Sequence, residues 1–202
     1  MTDQTAVFRL FAGVPLSDEC KAVSAELLQR LREPGGPLRG ARVSCPPPEK
    51  QHLTLKFLGD TPGGRIESVL AVLGAVDFTP FALSLADAGF FPDMTRPRVL
   101  WAGVAQGAAR LAALAARVNE ALAPLGFAPE KRPYRAHLTL GRVREQGTAD
   151  WAETRRMVAE CAWPEMLVSR FVLWKSELGP GGPVYTPLLE CPAEGTSRKV
   201  AL

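Results

Sequence analysis

His52-Leu53-Thr54-Leu55 and His137-Leu138-Thr139-Leu140 are two copies of one tetrapeptide, and between them they hold both histidines of a 202-residue chain. Side chains alternate along a strand, so in each copy the imidazole and the threonine hydroxyl share one face and the leucines the other. Within a copy, His and Thr stand roughly 7 Å apart along the backbone. Two such strands facing a common cleft would gather two acid/base groups and two hydroxyls. Imidazole, with an ordinary pKa of about 6.5, is an acid or a base near neutrality. A neutral and a protonated histidine together suit displacement of an alcohol from phosphorus. One takes a proton from the attacking oxygen and the other gives one to the leaving oxygen. The hydroxyls would hold non-bridging phosphate oxygens, and an arginine would offset their charge.

Two arginines are placed for that task. Arg135 comes two residues before His137 and Arg142 five residues after it. The odd offset puts Arg142 on the opposite face of a regular strand, so its use requires a twist or a strand end there. Lys56 reads as a solvated charge, and Phe57, alternating with it, reads as core. Trp101 and Tyr134 fit either core or site.

Other chemistries find little support. The chain has no G-x-S-x-G elbow, no G-x-x-x-x-G-K-[ST] loop and no G-x-G-x-x-G after a strand. Gly179 to Pro183 is glycine-rich, but its prolines remove backbone donors, so it suits a hairpin turn better than a phosphate cradle. Cys20, Cys45, Cys161 and Cys191 are scattered without a C-x-x-C pair. With two histidines in all, neither a structural zinc site nor any other metal or cofactor is expected.

Lys and Arg number 24 against 21 Asp and Glu, a net charge of +3. That balance disfavours a protein that coats nucleic acid and leaves room for a local anion site. Met1-Thr2-Asp3-Gln4-Thr5 carries no basic leader, and no apolar run reaches membrane-spanning length. A cytoplasmic monomer with reduced thiols is the expectation.

The elements that must position the motifs follow in order. A strand over 7–12 leads to a helix capped by Ser17 and running to about Arg32, with Cys20, Val23, Leu27, Leu28 and Leu31 inward. A short strand at 41–44 and the stiff Pro46-Pro47-Pro48 deliver the first motif strand, His52 to Leu58, ended by Gly59-Asp60-Thr61-Pro62. A helix over 64–76 follows, then strands over 81–91 and 98–104 and an alanine-rich helix over 108–122. The run Pro129 to Ala136 delivers the second motif, as Pro48-Glu49-Lys50 precedes the first. A polar helix over 149–161, strands over 166–174 and 184–189, and a polar, frayed end from Glu194 to Lys199 complete the chain. Two similar halves without a separating linker predict one α+β domain with mainly antiparallel sheets.

The paired H-x-T-x motifs resemble the signature of the two-histidine phosphoesterase superfamily. More narrowly, His52-Leu53-Thr54-Leu55-Lys56-Phe57-Leu58-Gly59 and His137-Leu138-Thr139-Leu140-Gly141-Arg142-Val143 are similar to the two motifs of the bacterial and archaeal RNA 2′,3′-cyclic phosphodiesterases, once called 2′-5′ RNA ligases. Arg98-Val99-Leu100-Trp101 and the run Ser176 to Tyr185 are similar too, so the likeness spans about Val7 to Leu189.

The resemblance implies a bilobal α+β fold, two mainly antiparallel sheets flanked by helices, with pseudo-twofold symmetry about a central groove carrying the two motifs. It implies metal-independent opening of a terminal ribonucleoside 2′,3′-cyclic phosphate to a 2′-phosphate, on RNA ends or nucleotides. By analogy His52 is the general acid toward O3′ and His137 the general base toward water, although the reverse assignment satisfies the chemistry equally. Thr54 and Thr139 would bind phosphate oxygens, Phe57 would stack on the terminal base, and Arg142 would contact base or phosphate. An ATP-independent 2′-5′ ligase using the same site, or a non-catalytic binder of cyclic-phosphate ends, are the alternatives.

Overall fold

The computed structural model describes residues 6–128, 132–179 and 182–195. Outside them lie Met1 to Thr5, the Pro129-Glu130-Lys131 approach to the second motif, Pro180 and Gly181 of the expected turn, and the polar end beyond Gly195.

The first half comprises β1 (Val7–Pro15), α1 (Asp18–Arg32), β2 (Arg42–Ser44), β3 (His52–Pro62) and α2 (Ile66–Gly74). β4 (Phe81–Leu83), β5 (Leu85–Phe91), β6 (Val99–Val104), α3 (Ala108–Leu122), β7 (His137–Glu145) and α4 (Trp151–Ala159) follow. β8 (Met166–Val168), β9 (Arg170–Gly179) and β10 (Gly182–Pro192) close the chain. Ser17 caps α1 as expected, its hydroxyl accepting from the Cys20 amide. No helix among the described residues is long and apolar enough to cross a membrane.

The class is α+β and the sheet is antiparallel. Its order among the described residues is β10-β9-β1-β3-β7-β6-β5, with β2 also on β7. A small second sheet pairs β4 with β8. The strands of both halves therefore lie on one path and meet where β3 touches β7, at the single partnered pair Leu53↔Leu138. Both leucines are fully buried, in one core with Leu10, Leu55, Leu140 and the helical Leu111, Leu114 and Val118. α2 packs on β10, α3 on β3 and α4 on β5. Burying the leucine face of the motif strands leaves the histidine face toward solvent.

Several expected elements differ in length. β3 runs on to Pro62 through the anticipated stop, because Gly59 and Asp60 still pair with Leu10 and Arg9. The segment 81–91 divides at Ser84, whose amide and carbonyl bond to Gln106 and Ala105, so β4 can leave for the second sheet. The strand expected over 166–174 likewise divides into β8 and β9.

Candidate active site

Each motif begins with the same local hydrogen bond. His52 Nδ1 lies 2.9 Å from the Lys50 carbonyl oxygen, and His137 Nδ1 lies 2.7 Å from that of Arg135. A carbonyl only accepts, so Nδ1 carries the hydrogen and Nε2 of the neutral ring is the free basic nitrogen. The carbonyl two residues upstream thus sets tautomer and orientation in both halves.

The burial sequence is also shared. The first seven residues of each motif strand alternate partly buried and buried through four positions, then run buried, exposed, buried. The break in alternation is a β-bulge. On β1, Gly13 partners Thr54 and Ala12 partners Lys56, leaving Leu55 over. On β6, Trp101 partners Thr139 and Leu100 partners Gly141, leaving Leu140 over. An extra residue reverses the parity of everything after it.

Three sequence expectations change at these bulges. Arg142 is exposed on the His137 face, where its charge reaches both imidazoles and the Tyr185 phenol. Phe57 is 57% exposed on the His52 face and is not core. Lys56 is 4% exposed, not a solvated charge; its ammonium donates to the Ala128 carbonyl at 2.5 Å.

The seam between the halves aligns the motifs. Continuing the antiparallel Leu53↔Leu138 register by one residue each way sets His52 toward Thr139 and Thr54 toward His137. The Tyr134 hydroxyl donates to the Thr54 carbonyl at 2.9 Å, tying the approach to the second motif onto the first motif strand. Burial pushes that phenol's pKa up. All six residues singled out from the sequence, His52, Thr54, Phe57, His137, Thr139 and Arg142, therefore share one face about one seam.

The rings around the two histidines differ. His52 stacks on Phe11 at 4.6 Å between centroids, with Trp174 at 5.5 Å and the edge of Tyr185 at 5.7 Å. Its ring lies over Gly13, where an added Cβ would come 3.2 Å from His52 Cδ2 and 2.8 Å from the Leu53 carbonyl oxygen. His137 has the edge of Phe91 at 5.0 Å, and Arg135 lies over the Phe91 and Trp101 rings. Loss of hydration, with the positive Arg142 nearby, brings the His52 pKa down to about 4. The same desolvation, with Arg142 and Arg135, lowers that of His137.

Sequence reasoning missed Phe11, Phe91 and Trp174, and assigned Tyr185 no place of its own. One signal was available. Leu10-Phe11-Ala12-Gly13-Val14 and Leu100-Trp101-Ala102-Gly103-Val104 are near copies on the strands that flank the two motifs. They pair in registers two residues apart, Gly13 opposite Thr54 but Gly103 opposite His137, so Phe11 and Trp101 are not equivalent in space.

Known proteins carry the same arrangement. A family described as LigT-like phosphoesterase matches residues 14–101 and 103–185. An RNA 2′,3′-cyclic phosphodiesterase of Archaeoglobus fulgidus is 35% identical over 180 residues, covering 89% of this chain and 97% of that protein. The crystal structure of the Thermus thermophilus protein TT0787 matches with a TM-score of 0.73 at 31% identity, covering 91% of this chain and 97% of that one. Apo E. coli LigT matches with a TM-score of 0.70 at 26% identity, covering 94% and 99%. The matched residues include both histidine motifs and the strands that hold them, and the chain belongs to the LigT-like phosphoesterase family.

Proposed function

We propose that this phosphoesterase is an RNA 2′,3′-cyclic phosphodiesterase that opens the terminal cyclic phosphate to a 2′-phosphate by metal-independent general acid/base catalysis. The observation that carries the reading is the matched pair of imidazoles, each fixed through Nδ1 by the carbonyl two residues upstream. The name of the Archaeoglobus relative supports the substrate.

The step balances with two proton transfers. His137 Nε2 takes a proton from water as the water oxygen bonds to phosphorus. The P–O3′ bond breaks, and O3′ takes a proton from His52. The products are a 3′-hydroxyl and a 2′-phosphomonoester, and exchange with solvent resets the rings. Thr54 and Thr139 hydroxyls donate to the non-bridging oxygens, and Arg142 offsets the charge that develops there. Phe57 offers its exposed ring to the terminal base.

Burial lowers both imidazole pKa values, so at neutral pH the free protein holds both rings uncharged. The anionic cyclic phosphate reverses this, because an adjacent negative charge favours the protonated ring. The acid's proton is thus taken up with the substrate.

The chain works as one bilobal unit, since each half supplies one histidine. Its four cysteines are unpaired, which suits the reducing cytoplasm, and a monomer contains the whole site.

The test uses purified protein in EDTA, a 2′,3′-cyclic nucleotide and an RNA ending in the same group, with His52→Ala and His137→Ala alongside. A 2′-phosphate product from the wild type, reduced roughly 10²–10⁴-fold in each variant, is expected. RNA ends bound without turnover would make the groove a recognition site and overturn the proposal.

A further inference from the structure

Strand register lays out two rows on the open face beside His52. Phe57, Phe11, Trp174 and Pro187 are successive partners across β3, β1, β9 and β10. Two residues further along β1, Asp60, Arg9, Ser176 and Tyr185 are successive partners across the same strands. The rows are about 7 Å apart. The first is apolar and begins at the exposed Phe57 ring. The second offers a guanidinium, an aliphatic hydroxyl and a phenol.

Arg9 is exposed, and among the described residues it makes no ion pair, although Asp60 is its strand partner. Arg42, Arg155, Arg156 and Arg170, by contrast, all engage carboxylates. Tyr185 links the polar row to the reaction centre. Its ring edge meets His52, and its phenol feels both Arg9 and Arg142.

We propose that Arg9, Ser176 and Tyr185 form a second subsite, which takes the internucleotide phosphate on the 5′ side of the terminal nucleotide of an RNA strand. The proposal rests on the phosphodiesterase reading. With the terminal base on Phe57 and the cyclic phosphate between the histidines, a continuing strand meets the next row of the sheet. That row carries what a phosphodiester needs: one cation and two hydroxyl donors. Contacts of this kind position a strand without reading its sequence. A free cyclic mononucleotide ends before reaching them, so the subsite makes the enzyme favour strand ends over free nucleotides.

The experiment compares kcat/KM on adenosine 2′,3′-cyclic phosphate with kcat/KM on the dinucleotide ApA carrying the same terminal group, for wild type, Arg9→Gln and Arg144→Gln. The exposed Arg144 lies on β7, in the other half. Wild type is expected to favour the dinucleotide about fivefold or more, with the preference shrinking as salt is raised. Arg9→Gln should lose the preference and keep the mononucleotide rate. A wild type without preference, or a preference lost in Arg144→Gln but kept in Arg9→Gln, would overturn the subsite while leaving the phosphodiesterase reading intact. Hydrolysis of neither substrate by wild type would overturn both.

Discussion

Phe57 and Arg142 occupy the same place in the two halves: each follows its histidine by five residues, and each is turned onto the histidine's face by a bulge. A near-symmetric frame thus presents an aromatic ring on one side of the seam and a cation on the other. The site is two-fold in its histidines and threonines and one-sided in what surrounds them.

The two positions should separate kinetically. Phe57→Ala is expected to raise KM about tenfold with kcat nearly unchanged, since stacking on a base is worth about 1–3 kcal/mol. Arg142→Gln should lower kcat by about 10²-fold. It should also move the acid limb of the pH profile upward, because Arg142 lowers both imidazole pKa values. Steady-state kinetics across pH check both, and equal KM effects in the two variants would refute the division.

Gly13 lets the His52 ring lie flat against the sheet. Gly13→Ala must shift either that ring or the Leu53 carbonyl, which an added Cβ would approach to 2.8 Å. The variant should lose about 1–3 kcal/mol of stability to overpacking and most of its activity. Gly64→Ala is the control, with nothing within 4 Å of its added Cβ, and should be neutral in urea melts and assays.

Stability should rise with pH across the range in which His52 titrates differently in the folded and unfolded chain. The folded pKa of about 4 lies below the ordinary 6.5, so the unfolded chain binds more protons between those values. The contribution is fully present above about pH 6.5 and is lost as pH falls toward 4; it is on the order of 3 kcal/mol. Urea unfolding of wild type and His52→Gln between pH 4 and 7 measures it. Equal slopes in the two proteins would show that His52 titrates normally.

Tyr134→Phe keeps the ring and removes one hydrogen bond between the halves. It should cost about 1 kcal/mol, or somewhat more for the Thr54 carbonyl left without its donor. Because that carbonyl belongs to a motif residue, kcat should fall several-fold while the helical content by circular dichroism is unchanged. A variant with wild-type kcat would show that the bond serves stability alone.

Local signals made much of this protein legible from its sequence. The α1 cap at Ser17, the bounds of α3 and the paired motifs all rest on neighbours within a few residues. The face of Arg142, the exposure of Phe57 and the burial of Lys56 rest instead on one unpaired residue in each motif strand. Nothing in Leu55 or Leu140 marks it as a bulge, because a bulge is a relation between two strands. The rings around His52 come from β1, β9 and β10, far apart in the chain, and only the strand order brings them together.

The single backbone pair Leu53↔Leu138 makes the reaction centre also the weakest line of the sheet. A slight parting of the halves there would widen the gap between acid and base while leaving each half's ladder intact. Catalysis should then act as a strain gauge for the sheet. With rising urea, activity is expected to vanish before far-ultraviolet ellipticity changes. A bound phosphate analogue, by bridging the two halves, should bring the two transitions together.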